Sequence, residues 1–151
     1  MIKVITSIRH LGCLMCLGIF ALSTIATSAE DPLTIGLQQY DKKHYKAAIA
    51  YFKDAAARNS SRAKLMLAWC YYKGEGCDVS LKKAFDIYWA LANSKVDHNT
   101  KADIAAAQYN LALFYYRGHG VKKDIDKAKK WLTKAAGNGD QDAKDFLDKY
   151  L

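Results

Sequence analysis

The sequence predicts an all-α protein, a right-handed α/α solenoid of about three helix-turn-helix repeats closed by a C-terminal capping helix. Three observations predict it. The stretch Ala107–Ala136 reads as helix, glycine loop and helix: Ala107, Leu111, Ala112 and Tyr115 share one face of the first helix, and Ala128, Trp131, Leu132 and Ala135 share one face of the second. The stretch Ala63–Ala92 repeats it at a constant offset of 44 residues, with Leu67, Ala68, Tyr71-Tyr72, Gly74, Gly76 and Ala84 falling on Leu111, Ala112, Tyr115-Tyr116, Gly118, Gly120 and Ala128. A helical hairpin of this size cannot bury both its apolar faces alone, so it must stack on its neighbours.

The chain opens on a different kind of segment. Lys3 and Arg9 make a basic start, Leu11–Ile25 is almost continuously apolar, and Ala26-Thr27-Ser28-Ala29 ends in small residues. That is the three-part layout of a secretory signal peptide over residues 1–29. The apolar run is short for a bilayer span, so the expectation is a removed leader and no stable membrane span afterwards. Cys13 follows Gly12 but precedes the apolar core and has no lipoprotein-type small-residue box, so Cys13 and Cys16 leave with the leader. The protein is therefore expected to be exported, periplasmic or secreted, from a bacterium.

Residues 30–151 are single-domain in size. The formal net charge of +8 falls by two with the leader's Lys3 and Arg9. A basic chain is attracted to lipopolysaccharide, anionic lipid or an acidic protein. Nucleic acid is not expected as a partner, because an exported protein seldom meets it.

The first repeat, about 33–58, pairs Leu33–Lys42 with Tyr45–Arg58, and Ala48, Phe52 and Ala55-Ala56 lie 36 residues before Ala84, Tyr88 and Leu91-Ala92. Gly36, Leu37 and Tyr40 face Ala48, Phe52 and Ala55. Its helices join through Asp41–His44 without a G-x-G loop. Asn59-Ser60-Ser61 fits a glycosylation sequon but reads better as a turn, with Ser61 as the next N-cap.

The second repeat, about 63–92, holds Cys70 and Cys77, whose equivalents in the third repeat are Phe114 and Val121. Two apolar positions have both become cysteine. In an exported protein this reads as a disulfide tying a helix end to its loop; the alternative is two buried thiols. So short a bridge, unstrained, would stabilise by about 2–3 kcal/mol. No histidine lies near enough for a zinc site, and no metal or cofactor is expected.

The difference between the two offsets places an insertion at Asn93–Lys101, a polar loop whose Asp97 and His98 are poor chelators as adjacent side chains. The third repeat, about 107–136, carries His119 between two glycines, read as an exposed loop tip. Its second helix is rich in lysine, with Lys122 and Lys123 before it and Lys127, Lys129, Lys130 and Lys134 along it; Asp124 and Asp126 sit at its N-terminus against the dipole. The last helix, 140–151, turns Ala143, Phe146, Leu147 and Tyr150 onto the open end of the stack.

The pattern A-x(3)-L-A-x(2)-Y-Y-[KR]-G-x-G at Ala63–Gly76 and Ala107–Gly120, each followed by an alanine at 84 or 128, resembles the Sel-1-like repeat family, a relative of the tetratricopeptide repeat. The family usually has glycine where Ala68 and Ala112 stand, a departure that affects only how closely helices approach. The resemblance implies that first helices line a concave face and that ligand-gripping positions lie along it. A second apolar stripe runs there: Leu65, Trp69 and Tyr72 with Lys73, then Tyr109, Leu113 and Tyr116 with Arg117. Part of it, Leu65 and Leu113 above all, packs between neighbouring helices. Trp69, Tyr72, Lys73, Tyr109, Tyr116 and Arg117 are the candidate partner-binding residues, since aromatics with nearby cations give a peptide large contact area and a place for a carboxylate.

Two Ser-x-x-Lys matches, Ser61–Lys64 and Ser80–Lys83, lack the companion elements of penicillin-recognising enzymes and read as helix caps. Cysteine-rich relatives described as penicillin-binding keep a weak hydrolase as the third reading. The first is a non-enzymatic module binding an unidentified protein or peptide in its concave groove. The second is an envelope-binding protein that uses the lysine-rich helix on anionic glycan or lipid.

Overall fold

The structure, a computed structural model, describes residues 30–97 and 100–151. The leader expected over residues 1–29, with Cys13 and Cys16, lies outside the described residues, as does His98. Seven α-helices and no strand occur among the described residues: α1 (Pro32–Asp41), α2 (Tyr45–Ala57), α3 (Ser61–Lys73), α4 (Leu81–Ala92), α5 (Lys101–Arg117), α6 (Ile125–Gly137) and α7 (Gln141–Tyr150). Each packs on the next in sequence, and α3 also packs on α5, the next first helix.

Local chemistry sets the helix ends. Pro32, with its fixed φ, starts α1. Ser80, Asp124 and Asp140 each accept a hydrogen bond from the backbone N–H three residues on, the N-cap geometry that satisfies an otherwise orphaned donor. For α3 the cap is Ser60, one residue ahead of the expected Ser61; its Oγ accepts from Ala63 N at 3.2 Å. Asn59 supplies the left-handed turn before it, at φ 69°.

The two G-x-G loops are built alike. Gly74 and Gly118 end α3 and α5 in the left-handed conformation, at φ 77° and 74°. Their N–H groups close on Cys70 O and Phe114 O at 2.8 and 2.9 Å. The second glycine does something else. A Cβ on Gly76 would lie 2.5 Å from the Tyr45 carbonyl carbon, and one on Gly120 would lie 3.1 Å from that of Leu81. Each loop therefore lies against the start of the preceding repeat's second helix.

The core follows the predicted faces. Ala48, Ile49, Phe52, Leu67 and Cys70 form the cluster between the first repeat and the second. A larger one gathers Ala84, Tyr88, Leu91, Ile104, Leu111, Phe114, Trp131, Leu132 and Ala143. Burying side chains such as Leu111 or Leu132 contributes about 1.5–3 kcal/mol each.

One boundary moves. The polar insertion is expected to run through Lys101, but α5 begins there, one turn earlier than its counterpart α3 would imply. The extra turn buries Ile104 completely and Ala105 almost so, which is why the segment is helix and not loop. Gln108, the one buried polar residue among the described residues, donates to Ala92 O at 3.2 Å and accepts from Asn138 Nδ2 at 2.9 Å. It joins the end of the second repeat to the end of the third.

Candidate functional site: the groove between the first helices

Where α3 and α5 run side by side they leave a cavity of about 280 Å³. Trp69, Tyr72 and Lys73 reach it from α3; Tyr109, Asn110, Leu113, Phe114 and Arg117 reach it from α5; His119 reaches it from the loop. Five of the six candidate residues thus meet in one place. The rings of Trp69, Tyr72 and Tyr109 are half-buried, while Lys73 and Arg117 are exposed.

Contacts fix their orientation. Trp69 and Tyr72 have ring centres 5.9 Å apart, and Tyr72 lies 5.6 Å from Phe114. Lys73 Nζ sits 5.0 Å over the Trp69 ring, a cation–π contact. Arg117 Nη1 donates to Tyr72 Oη at 3.4 Å. Both cations end their helices, but both side chains fold back over the groove. No carboxylate lines the cavity.

Tyr116, the sixth candidate, is not there. It packs edge to face on Phe146 of α7 with ring centres 5.1 Å apart, and Lys123 Nζ stands 5.7 Å over it. The reason is periodic. Tyr40, Tyr72 and Tyr116 sit one residue before the last of α1, α3 and α5, and each turns towards the next unit of the stack. Tyr40 meets α3 and Tyr72 meets α5. For Tyr116 the next unit is the capping helix, which it meets through Phe146.

The sequence reading missed Asn110, Phe114 and His119. His119 is not an exposed tip: its ring lies tilted against that of Tyr72 at 5.8 Å and edge to face with that of Phe114 at 6.0 Å. The 44-residue offset sets His119 over Glu75, which accepts from Tyr40 Oη at 2.5 Å, but the backward reach of this position shows only in the structure. In both loops the residue between the glycines reaches back to the tyrosine of the preceding repeat.

Trp69 also forms the wall of a second cavity, of about 270 Å³, lined by Tyr40, Arg62, Leu65, Met66 and Asn110 among others. Arg62 is paired with Asp103 at 3.1 Å, so its charge is already matched. Burial, then the Glu75 hydrogen bond, holds the Tyr40 hydroxyl well above the usual phenol range. Burial, then Asp142 and Asp140, also raises that of Tyr109, against the pull of Arg117. Both hydroxyls stay protonated and can donate.

Cys70 and Cys77, where a disulfide was expected, are both free thiols in the structure. Cys70 is fully buried in the first-repeat cluster, while Cys77 Sγ lies 3.7 Å from the Cys70 carbonyl oxygen and donates to it. Burial, with Glu75 and Cys77 nearby, pushes the Cys70 thiol up to about 12. Burial first, then Asp78, raises Cys77 against Lys53 and Lys83.

Neither Ser-x-x-Lys match assembles a nucleophile and base. Lys64 Nζ bonds Asn59 Oδ1, and Lys83 Nζ sits 5.2 Å over Tyr71. Much of the lysine-rich helix is engaged too: Lys127 pairs with Asp124 at 3.3 Å, Lys129 donates to Leu151 O at 3.1 Å, and Lys134 covers Trp131 at 4.3 Å. Among the described residues no group of three or more His, Cys, Asp or Glu could hold a metal ion. None of their helices is long and apolar enough to cross a membrane.

A stack of helical hairpins with a groove between its first helices defines the class of α-solenoid repeat protein. The Sel1 repeat family model matches residues 61–88 and 105–140, so these two stretches are Sel1 repeats. It is 44% identical over 52 residues to a sel1-like repeat-containing protein of Acanthamoeba polyphaga mimivirus, covering 34% of this chain and 9% of that one. It is 31% identical over 96 residues to the chitin synthase regulator SKT5 of Saccharomyces cerevisiae, covering 64% of this chain and 13% of that one. The chain therefore spans about a tenth of the length of these curated relatives. Among solved structures it is similar to a Sel1 repeat protein from Oxalobacter formigenes, with TM-score 0.64 and 28% identity over 74% of this chain and 42% of that one. It also shares its fold with a protective antigen of uropathogenic Escherichia coli strains, with TM-score 0.65 and 22% identity over 85% of this chain and 27% of that one. Sel1 repeats are in general protein–protein interaction modules.

Proposed function

We propose that this protein is an exported, non-enzymatic binding module that holds a segment of a partner protein in the groove between α3 and α5. One observation carries the reading: aromatic rings and two cations converge in the groove, and no residue lining it is a carboxylate. Interfaces draw their energy from buried aromatic and arginine anchors, and a pre-formed pocket spares the ordering cost that a flexible surface pays on binding. The leader-like start of the chain supports export, and export in turn supports oxidation of Cys70 with Cys77. The lysine-rich helix is the weaker site because Lys127 is paired with a carboxylate, Asp124, and Lys129 is bonded to Leu151 O.

The test is co-precipitation from a native envelope fraction with wild type, a Lys73→Gln/Arg117→Gln variant and a Lys122→Gln/Lys130→Gln variant. A partner lost only with the first supports the groove. A partner lost only with the second, and released steeply by salt, moves the site to the basic helix.

A further inference from the structure

We infer that a second site lies on the side of the second helices, where a cavity between α2, α3 and α4 receives one aromatic side chain of a partner protein. The cavity measures about 380 Å³, and Leu67, Ile87 and Leu91 give it an apolar floor. It shares no residue with the groove between α3 and α5.

The third repeat shows what such a place holds. At the 44-residue offset Ile87, Ala90 and Ser94 become Trp131, Lys134 and Asn138, and Lys64 becomes Gln108. Trp131 is 9% exposed, in one core cluster with Leu91, Ala92 and Leu111, and Lys134 Nζ covers its ring at 4.3 Å. Gln108 turns inward to Ala92 O, and Asn138 donates to it. Between the second and third repeats, then, the chain fills the position with its own indole. Between the first and second the walls are alike, since Ala56 and Leu67 stand where Ala92 and Leu111 do. Isoleucine and alanine leave the place open, and Lys64 is drawn away to Asn59 Oδ1. Leu91, where the third repeat has Ala135, takes back part of the room, and the cavity is what remains.

The surroundings select an aromatic ring on a protein. A flat ring brings large apolar area at a low cost in side-chain freedom. The charges at the rim are already matched: Lys64 is bonded to Asn59, and Asp86 is paired with Lys82 at 2.5 Å. Recognition here is therefore apolar and insensitive to salt, unlike binding to the basic helix. Asp86, Ala90 and Ser94 are exposed, so the cavity opens at the surface and covers only part of a ring. Small-molecule sites bury most of their ligand. A ring carried on a protein has its outer side covered by that protein. Trp89 lies off the stripe formed by Ile87, Ala90 and Ser94 and does not line the cavity.

The experiment is an amide chemical-shift titration of the isotope-labelled protein with three probes. They are a capped alanine-rich helical peptide with one central tryptophan, the same peptide with leucine there, and N-acetyl-tryptophanamide. The amides of Ala56, Ile87 and Ala90 are expected to move saturably with the tryptophan peptide, at any salt concentration. Its affinity should exceed that of the leucine peptide about five-fold or more. Two variants test the place. Ile87→Trp writes the third repeat's indole into the second, and Ala90→Lys writes in its lysine at an exposed helix position that leaves the fold unchanged. Each is expected to abolish the three shifts. Shifts elsewhere or none, equal affinity for the leucine peptide, or shifts that survive either substitution in a folded protein overturn the inference. Equal affinity for N-acetyl-tryptophanamide makes the occupant a free small molecule and overturns it as well.

Discussion

Trp69 Nε1 donates to Tyr40 Oη at 2.9 Å, and through that bond the first repeat holds the indole that walls the groove of the second. Tyr40 in turn donates to Glu75 in the loop after α3. The wall of the candidate site is thus fixed by a residue two helices away in sequence. Tyr40→Phe strands a half-buried indole N–H and a carboxylate. It is expected to cost about 1–3 kcal/mol in urea unfolding. Paired with Trp69→Phe in a double-mutant cycle it should show coupling of about 0.5 kcal/mol or more. Additive single effects would mean the bond does not hold the wall.

The second glycine of the loop should tolerate nothing larger. Gly76→Ala combines a left-handed φ of 78° with a Cβ 2.6 Å from the Tyr45 carbonyl oxygen, which is backbone and cannot rotate away. Gly139 has φ 97° but nothing within 4 Å of its Cβ position. Gly139→Ala is expected to cost about 1 kcal/mol and Gly76→Ala clearly more than about 2 kcal/mol. Denaturation midpoints of the two variants make the comparison.

The cysteines give a prediction with a sign. The folded state raises the Cys70 thiol to about 12, so the unfolded chain ionises first as pH rises. The stability linked to this group is fully present below the unfolded value of ~8.5 and is lost as pH climbs towards the folded one. Melting temperature should therefore fall through the alkaline range, and Cys70→Ala should flatten part of that fall. Oxidised glutathione should convert both thiols to one disulfide with release of two reduced glutathiones, raising the melting temperature. A mixed disulfide on Cys77 that persists without closing would show that the pair cannot bridge.

Two N-caps should respond oppositely to losing their charge. Asp124 is held below the usual carboxylate range, first by the Lys127 N–H and then by the Lys127 side chain. Its contribution is present above the unfolded value and lost as pH falls through the folded one. Burial raises Asp140, so its folded state favours the neutral acid, and stability falls as pH rises through that window. Asparagine keeps either cap. At neutral pH Asp124→Asn should lower the melting temperature, while Asp140→Asn should leave it unchanged or raise it.

Much of this fold was legible because repetition reads twice. Leu67 and Leu111, or Gly74 and Gly118, confirm one another at a fixed offset, and the faces they predict are the buried ones. The start of α5 was not legible, since Lys101–Asp103 looks like loop until Ile104 finds a core to enter. In the site, side chains pointing along their own helix, such as Trp69 and Arg117, could be placed from spacing. His119 and Tyr116 could not, because each position depends on the neighbouring repeat: one folds onto Tyr72, the other is claimed by Phe146. The state of Cys70 and Cys77 was not legible either: the disulfide expected from their apolar counterparts Phe114 and Val121 is not formed in the structure.

The most direct measurement is site-specific photo-cross-linking in the native envelope. A benzophenone amino acid is placed at Asn110, between the two cavities of the groove, or at Trp89, 50% exposed on α4. The account predicts a discrete adduct from Asn110 that disappears when Arg117→Gln is added, and none from Trp89. Adducts from Trp89 with none from Asn110 would contradict it.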